Sequence, residues 1–332
     1  MKKPLLVVLL GVLVQVSAAE ADVANDLNRG HSLEYARDKA LAEGMTLERF
    51  TAEAVKASPV AAVVVTKVSY NKSPEQIVSI VQAAVGVSRA AEVPEVVAAG
   101  ATLAPDKTIE MVESAVVAKP SMAPDIAAAA AKIVPNQASE IVIATAKKQP
   151  GQVASITATT AKAVPAQSLQ IVGDVTKAYP AQAPQIAAAT ARELPNQAGQ
   201  ISATVAEGLP DQASQIATAV AKEHPDQAAQ IALDTTKAVP EQAPQIAAGI
   251  ASELPAQAGD VVVAVISVSP GMEAEIQQTA ILAGVDPTVV TSATAAGPAA
   301  GPAAGPAINV GAPLPVAPVG GGGSGGGVAS PS

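Results

Sequence analysis

A proline recurs every fifteen residues through most of this 332-residue chain, and this spacing limits what the chain can fold into. From Pro120 to Pro270 the interval never varies. Because proline has no amide hydrogen and clashes with the preceding helical turn, it is tolerated at the start of a helix but not within one. The spacing therefore excludes one long continuous helix and predicts a series of separate short elements.

The repeated unit reads P-x-Q-A-x-Q-I-A-x-x-x-A-K-x-V/L, and we number its positions 1 to 15 from the proline. Units follow one another without a gap from Ala90 to Gly284, and weaker copies are expected near Lys56 and Asn71, the second with four extra residues. Positions 4, 7, 8, 11, 12 and 15 are apolar, which is the spacing of one helical face. Each unit is predicted to form a helix of about 10–12 residues, and a β-solenoid is the less favoured alternative.

Prolines and capping residues predict where these helices begin. A second proline at position 5 of some units would break a helix that began at position 1, so these helices are predicted to begin near position 4 or 5. The prolines concerned are Pro124, Pro184 and Pro244. Ser73 and Gln76 are expected to form a capping box around Pro74. Asp286 is expected to cap a last helix that begins at Pro287.

Short amphipathic helices with short connections are expected to pack on one another. A helix of this length is marginal alone in water, and short connections place consecutive helices antiparallel. The sequence therefore predicts an all-α fold, an α-solenoid of short antiparallel helices arranged in hairpins of about 30 residues. The predicted organisation is an export signal at 1–19, a helical cap at 24–55, the repeat solenoid at 56–295 and an Ala/Gly/Pro-rich tail at 296–332.

The two ends of the chain differ from the repeats. Lys2 and Lys3, the apolar residues 4–16 and the small residues 17–19 have the three-part layout of a secretory signal peptide, with cleavage near Ala19. An exported protein, periplasmic or extracellular, is predicted, with an uncleaved anchor as the alternative. At the other end, three Ala-Ala-Gly-Pro copies and a glycine run are typical of a disordered, flexible tail, or of a segment for sorting, assembly or surface attachment.

The predicted cap contains two helices and is more polar than the repeats. Leu33–Leu41 is amphipathic, and Gly44 is expected to end this helix. Thr46 is expected to begin the second helix, which continues through Phe50 to Val55.

Composition excludes several kinds of function. The chain has no cysteine, two histidines, 1% aromatic residues and a formal net charge of −9. Disulfides and thiolate metal sites are therefore excluded, and nucleic acid is disfavoured as a partner because it needs cations and stacking rings. His31, close to Glu34, is interpreted as a solvated side chain, and His224, at position 15, as packed at a corner between helices. No catalytic motif is found, and no cofactor or metal is expected.

The glutamines are the one polar feature with order, because they recur at positions 3 and 6 and a solenoid would align them in ladders. They are expected to cap helix starts and to satisfy loop carbonyls between units. The alternative is a regular surface that meets a polymer, a peptide, a mineral or another copy of the chain. The candidate ladder consists of Gln182, Gln185, Gln197, Gln200, Gln212, Gln215, Gln227, Gln230, Gln242 and Gln245.

Threonines at position 11 suggest an ice-binding array at first sight. Valines occupy the same position in other units, so position 11 is assigned to the core instead. The threonines are Thr145, Thr160, Thr190 and Thr235.

The Pro-x-Gln-Ala-x-x-Ile-Ala-x-x-x-Ala blocks resemble those of exported bacterial alanine-rich repeat proteins without an assigned activity, over roughly residues 56–295. The resemblance implies an exported helical repeat protein. In architecture the chain is similar to TPR and HEAT solenoids, with shorter helices and without their aromatic positions.

The function expected from these observations is that of a non-enzymatic structural or interaction protein. It would present a long, regular, acidic surface to another copy or to a partner in the cell envelope or outside the cell. The alternative is a monomeric module that binds a peptide or a glycan. Neither a nucleic-acid partner nor a membrane span after signal cleavage is expected.

Overall fold

A computed structural model describes residues 22–296, which are almost entirely helical. The predicted export signal at 1–19 and the predicted tail beyond residue 296 lie outside the described residues. Helix α1 spans residues 22–28, and no strand occurs among the described residues. The other helices are α2 Leu33–Ala42, α3 Leu47–Ala57, α4 Ala62–Lys72, α5 Ile77–Val87, α6 Val93–Leu103, α7 Thr108–Ala118, α8 Ala123–Ile133, α9 Ala138–Lys148, α10 Val153–Ala163, α11 Ser168–Ala178, α12 Ala183–Glu193, α13 Ala198–Gly208, α14 Ala213–Glu223, α15 Ala228–Ala238, α16 Ala243–Glu253, α17 Ala258–Val268, α18 Glu273–Leu282 and α19 Pro287–Ala296.

Every unit from Pro105 to Pro270 folds in the same way. Positions 1–3 form one turn of 3-10 helix that opens with the proline, and an α-helix of ten or eleven residues follows from position 4. Position 15 leaves the helical conformation, as His224 does with φ −134° and ψ 70°. The carbonyl of position 15 then accepts a hydrogen bond from the N–H of position 3 in the next unit, at 2.9 Å between Val134 and Gln137. The chain therefore reverses within four residues.

The observed helix starts confirm the prediction made from the second prolines. Pro184 lies in the first turn of α12, where a missing N–H removes no helical hydrogen bond. Asp286 also caps α19 as predicted, since its Oδ1 accepts a hydrogen bond from the Thr288 N–H at 2.8 Å. The prediction of a capping box at Ser73 is wrong. A 3-10 turn, Pro74–Gln76, separates Ser73 from α5, and Ser73 makes no side-chain capping bond.

The two weak early copies begin three residues later than predicted, at Pro59 and Pro74. The second copy is followed by one extra residue instead of four, because α5 begins at Ile77 and α6 at Val93, sixteen residues later. The apolar spacing identifies the buried face of a helix but leaves its first residue open. In these units, as in the others, the proline sets that residue.

The predicted cap is continuous with the repeats. Gly44 ends the preceding segment with a φ of +91°, a conformation that glycine adopts without strain. Thr46 begins α3 as predicted, because its Oγ1 accepts a hydrogen bond from the Arg49 N–H at 3.3 Å. Helix α3 keeps the fifteen-residue register and packs against α5. The predicted boundary after residue 55 therefore falls inside a helix of the stack.

Helix α2 places Ala36 and Ala40 in the core and also makes contacts through charged side chains. The Arg37 guanidinium is buried and donates a hydrogen bond to the Val68 carbonyl at 2.9 Å. The Lys39 ammonium contacts the carboxylates of Asp22 at 3.0 Å and Asp26 at 2.9 Å. These contacts fit the polar character of a terminal unit, whose outer side has no further repeat to cover it.

The helices form two layers. Helices that are two apart in the chain lie side by side, and consecutive helices pack across the layers. Same-layer helices are parallel. Ser214 in the first turn of α14 donates to the Gln245 carbonyl of α16 at 2.6 Å, and Lys222 in the last turn of α14 contacts Glu253 at 2.7 Å. We call the layer with α4, α6 and so on to α18 the even layer, and the layer with α3, α5 and so on to α19 the odd layer.

The core lies between the two layers. Positions 4, 7, 8, 11 and 12 are buried in the regular units, as the sequence predicts, whereas position 15 is mostly half-buried because it lies outside the helix. The isoleucine of position 7 is fully buried in nine consecutive units, from Ile126 to Ile246. The assignment of position 11 to the core is confirmed. Thr145, Thr190 and Thr235 are completely buried.

Candidate interaction surface

The glutamines of position 3 are half-buried between units and have structural contacts. The Gln152 side-chain amide donates a hydrogen bond to the Pro120 carbonyl, two units earlier, at 3.1 Å. Gln137 makes the equivalent bond to Pro105 at 3.4 Å. These two contacts match the expectation that the amides satisfy loop carbonyls. The expectation that they cap helix starts is wrong, because the position-3 glutamines stand at the N-caps of α9 to α17 without a side-chain capping bond.

The glutamines of position 6 are exposed in every unit that carries one. Position 6 is the third residue of the helix, from which a glutamine could cap the N–H of position 3. That N–H is already bonded to the carbonyl of position 15, as in Gln182 and Tyr179 at 3.0 Å. Among the six glutamines of position 6, all of which lie in the described part of the chain, only Gln230 uses its side-chain amide internally, in a hydrogen bond to Asp234 at 2.8 Å. The position-6 amides therefore face solvent with little internal role.

The ten glutamines of the predicted ladder fall on two layers. Because α12, α14 and α16 belong to the even layer and α13 and α15 to the odd layer, alternate units face opposite sides. We name two rows by their exposed position-6 glutamines. The even row is Gln185, Gln215 and Gln245, and the odd row is Gln170, Gln200 and Gln230. A feature with a fifteen-residue period in sequence thus has a thirty-residue period on each surface.

The outer surface of the even layer has an unusually uniform strip. We call the outer positions 6, 9, 10 and 13 of α6, α8, α10, α12, α14 and α16 the regular face. Positions 9 and 10 form its floor, whose residues are buried or half-buried between the exposed edges. They are Ala98, Ala99, Ala128, Ala129, Ala158, Thr159, Ala188, Ala189, Thr218, Ala219, Ala248 and Gly249. Exposed side chains at positions 6 and 13 form its two edges, about 10 Å apart along each helix.

One edge of the regular face carries a ladder of ion pairs between neighbouring helices. Each bond joins the cation at position 13 to the glutamate at position 14 two units later. The pairs are Lys162–Glu193 at 2.7 Å, Arg192–Glu223 at 2.6 Å and Lys222–Glu253 at 2.7 Å.

These contacts shift the proton affinities of the paired groups. Arg192 donates two hydrogen bonds to Glu223, and this lowers the pKa of the Glu223 carboxyl. The hydrogen bond from Lys222 likewise lowers the pKa of Glu253. Both carboxylates are therefore held in the charged form.

The ladder ends in an uncompensated cation at α8. The residue opposite Lys132 in α10 is Ala163 where later units have a glutamate, and Lys132 makes no ion pair with any described residue. Around it lies an open depression of about 480 Å³. Its lining includes Asp125, Ala128, Ala129, Lys132, Thr159 and Lys162.

The odd layer has no comparable strip. Its positions 9 and 10 carry acidic, branched and small residues in no regular order, from Glu113 and Ile143 to Asp174, Leu233 and Asp234. Its position 14 has no acidic residue in α7 to α17, so the cations at position 13 have no counterpart of the even ladder.

The regular face could not be found by comparing successive units, because those alternate between layers. The cations of position 13 suit the negative end of the helix dipole. Their second role needs Glu193, Glu223 and Glu253, which the sequence analysis did not single out. A comparison of alternate units would reveal the signal, namely small residues at positions 9 and 10 and a cation–acid spacing of 31 residues.

The two histidines are far apart in the stack and have ordinary contacts. His31 precedes α2 and is exposed, and its ring lies 4.6 Å from the ring of Tyr35, centroid to centroid. His224 follows α14, and its Nε2 lies 2.9 Å from the Ala191 carbonyl oxygen near the end of α12. This position between neighbouring helices matches the predicted packing at a corner.

Within residues 22–296 there is no group of three or more acidic or histidine side chains placed to hold a metal ion. None of the helices in that part of the chain has both the length and the hydropathy that a bilayer span requires. Comparison of the chain with protein-family models, with curated proteins and with solved structures finds no match.

Proposed function

We propose that this chain is an exported, non-enzymatic interaction protein of the cell envelope or exterior, and that its regular face holds an extended partner. Export is supported by the basic, apolar and small segments of residues 2–19. The interaction role is supported by the exposed glutamines of position 6.

The observation that carries this proposal is a contrast between two exposed positions. Position 6 is glutamine in six consecutive units, from Gln170 to Gln245. Position 2 is exposed in the same units but varies. It carries Ala166, Ala181, Asn196, Asp211, Asp226 and Glu241. Recent duplication would have kept both positions alike, and folding explains neither, since most position-6 amides have no internal partner. A constant exposed amide therefore favours use of the surface, and the small-residue floor and ion-pair ladder of the even layer favour the regular face over the odd layer.

The regular spacing favours an extended partner over a compact one. Each even helix adds one floor segment and one residue on each edge, and adjacent helices lie about 8–10 Å apart. A partner that crosses α12, α14 and α16 would meet a glutamine at the position-6 edge of each, whereas the same edge carries Glu95, Asp125 and Ser155 in α6, α8 and α10. Repeat proteins use such stacked surfaces for long ligands.

Self-association is a second candidate, supported by the last even helix. Leu282 of α18 is 79% exposed and Ile281 is 36% exposed. Exposed apolar side chains at the end of a stack favour contact with another copy. Light scattering of the exported protein over a range of concentrations tests this candidate. We expect a mass that rises with concentration and falls in the I281E/L282E variant if the candidate is right, and a constant monomer mass if it is wrong.

Capture from native envelope and secreted fractions tests the main proposal. The immobilised exported protein is compared with Q185A/Q215A/Q245A on the even row and with Q170A/Q200A/Q230A on the odd row as a matched control. We expect a discrete partner that the wild type and the odd-row variant retain and the even-row variant loses. Equal retention by all three proteins, or no retained partner, would contradict the proposal.

A further inference from the structure

We infer that the occupant of the regular face is a polypeptide in the polyproline II conformation, bound with one three-residue turn over each even helix and with a carboxylate at Lys132. This inference rests on the proposed function and names the chemistry of its partner.

The spacing of the face selects this backbone conformation. Equivalent residues of the even row recur at the distance between neighbouring helices, about 8–10 Å. A polyproline II helix rises about 3.1 Å per residue with three residues per turn, so it presents the same side every 9.3 Å or so. A β-strand returns to the same side every two residues, or about 6.6 Å, which does not match the spacing between the helices.

The polar groups of the face match a peptide backbone. Each exposed side chain of Gln185, Gln215 and Gln245 offers an N–H donor and a carbonyl acceptor. One turn of an extended peptide offers the complementary carbonyl and N–H. The floor of alanine, threonine and glycine leaves room for a backbone to lie close to the helices.

The absence of aromatic rings on the face disfavours a glycan. Sugar rings bind proteins largely by stacking their C–H faces on aromatic side chains. The chain has three tyrosines and one phenylalanine, and none of them stands at a position of the regular face. Phe50 is buried in α3, and Tyr179 occupies position 15 of an odd-layer unit.

Charge complementarity sets the direction of the occupant. The three glutamates of the ladder are each paired with a cation, which leaves Lys132 as the one ladder cation without a carboxylate partner among the described residues. Asp125, the acid on the opposite edge of the same helix, is seven residues away, about 10 Å along the axis. An anionic end of the peptide therefore fits the depression at α8, and its chain extends from there towards α16.

The test measures binding of the full exported protein to fluorescein-labelled peptides by fluorescence anisotropy. The main probe has five Pro-Pro-Ala triplets and a free C-terminal carboxylate, so that one N–H recurs per turn. The register control has four Pro-Pro-Pro-Ala blocks, which offer the same groups about every 12.4 Å. A third probe repeats the first with a C-terminal amide.

We expect the triplet peptide to bind at least about tenfold more tightly than the four-residue control, because its N–H groups stay in step with the even row. Q185A/Q215A/Q245A is expected to weaken binding by about tenfold or more, and Q170A/Q200A/Q230A by less than about twofold. Replacing the carboxylate by an amide, or Lys132 by alanine, should each cost about two- to fivefold, with no further loss when both are combined.

The inference is overturned if the triplet peptide does not bind at millimolar concentration, if both peptides bind equally, or if the two triple variants behave alike. Circular dichroism of each variant confirms that it is folded. Failure here with capture that still depends on the even row overturns the peptide assignment alone. Loss of the even-row dependence in the capture experiment overturns the proposed function itself.

Discussion

The even and odd layers are built from the same fifteen-residue unit, yet their outer surfaces differ. Inside, both layers supply isoleucine at position 7 and small residues at positions 4, 8 and 12 to one shared core. Outside, the even layer combines a uniform small-residue floor with an ion-pair ladder, whereas the odd layer varies from helix to helix. Folding therefore follows a period of fifteen residues, and the exposed surface follows a period of thirty.

The largest losses of stability are expected from core substitutions. They should be equal in the two layers, because the layers share one core. Ile216→Ala in the even layer and Ile201→Ala in the odd layer each remove a fully buried side chain. We expect each to lower the free energy of unfolding by about 2–5 kcal/mol in chemical denaturation. Ile133→Ala, at a side chain that is 40% exposed, is the control and should change it by less than about 0.5 kcal/mol. A large difference between the two core variants would show that the layers do not share one core.

Two glycine substitutions, one in each layer, should differ in their effect on stability. In the even layer, a Cβ at Gly249 would collide with the Ser214 hydroxyl and lie 2.8 Å from the Thr218 Oγ1. We expect Gly249→Ala to lower the free energy of unfolding by about 1 kcal/mol, since crowding exceeds the gain in helix propensity.

Gly173→Ala in the odd layer is the matched control for this change. Its Cβ would lie 3.4 Å from the Thr204 Cγ2, which is an ordinary contact. We expect it to leave the free energy of unfolding unchanged or to raise it by up to about 1 kcal/mol. Equal effects of the two alanines would contradict the crowding by the Ser214 and Thr218 hydroxyls at Gly249.

Substitutions at the two glutamine positions should differ in their effect on the stability of the protein. Gln152→Ala removes the position-3 amide bonded to the Pro120 carbonyl, and we expect a loss of about 0.5–1.5 kcal/mol in thermal or chemical unfolding. Gln185→Ala removes an exposed position-6 amide and should cost less than about 0.5 kcal/mol. A marked loss at Gln185 would assign position 6 to folding and weaken the argument for a binding surface.

The smallest expected effect is the loss of stability at acidic pH. The lowered pKa values of Glu223 and Glu253 mean that their contribution to stability is complete above the unfolded-state pKa of about 4.3 and is lost as the pH falls through the folded-state values. E223Q/E253Q should therefore be slightly less stable than the wild type at pH 6, and the difference should shrink as the pH falls below about 4.3. E140Q in the odd layer is the control. A difference that does not shrink on acidification would locate the effect elsewhere.

Much of this fold could be predicted from the sequence because each structural signal recurs in many units. The proline at position 1, the second proline at Pro184 and the buried isoleucines define the length, start and inner face of each helix. The capping box at Ser73 failed because a 3-10 turn was not foreseen between the proline and the helix. The starts predicted for the two early units were displaced by three residues, because their apolar pattern alone does not fix where a helix begins.

The sequence by itself determined that the chain is an all-α solenoid, because prolines at fixed intervals and a helical apolar face act within single units. Only the tertiary structure decided which side chains of alternate units meet on each surface. It joined each helix to the one two units later, divided the glutamines into two rows and brought Arg192 to Glu223, 31 residues along the chain. The physical reason is that side-by-side packing depends on the antiparallel turn between helices, so contacts on one surface skip a unit and leave no signal in adjacent repeats.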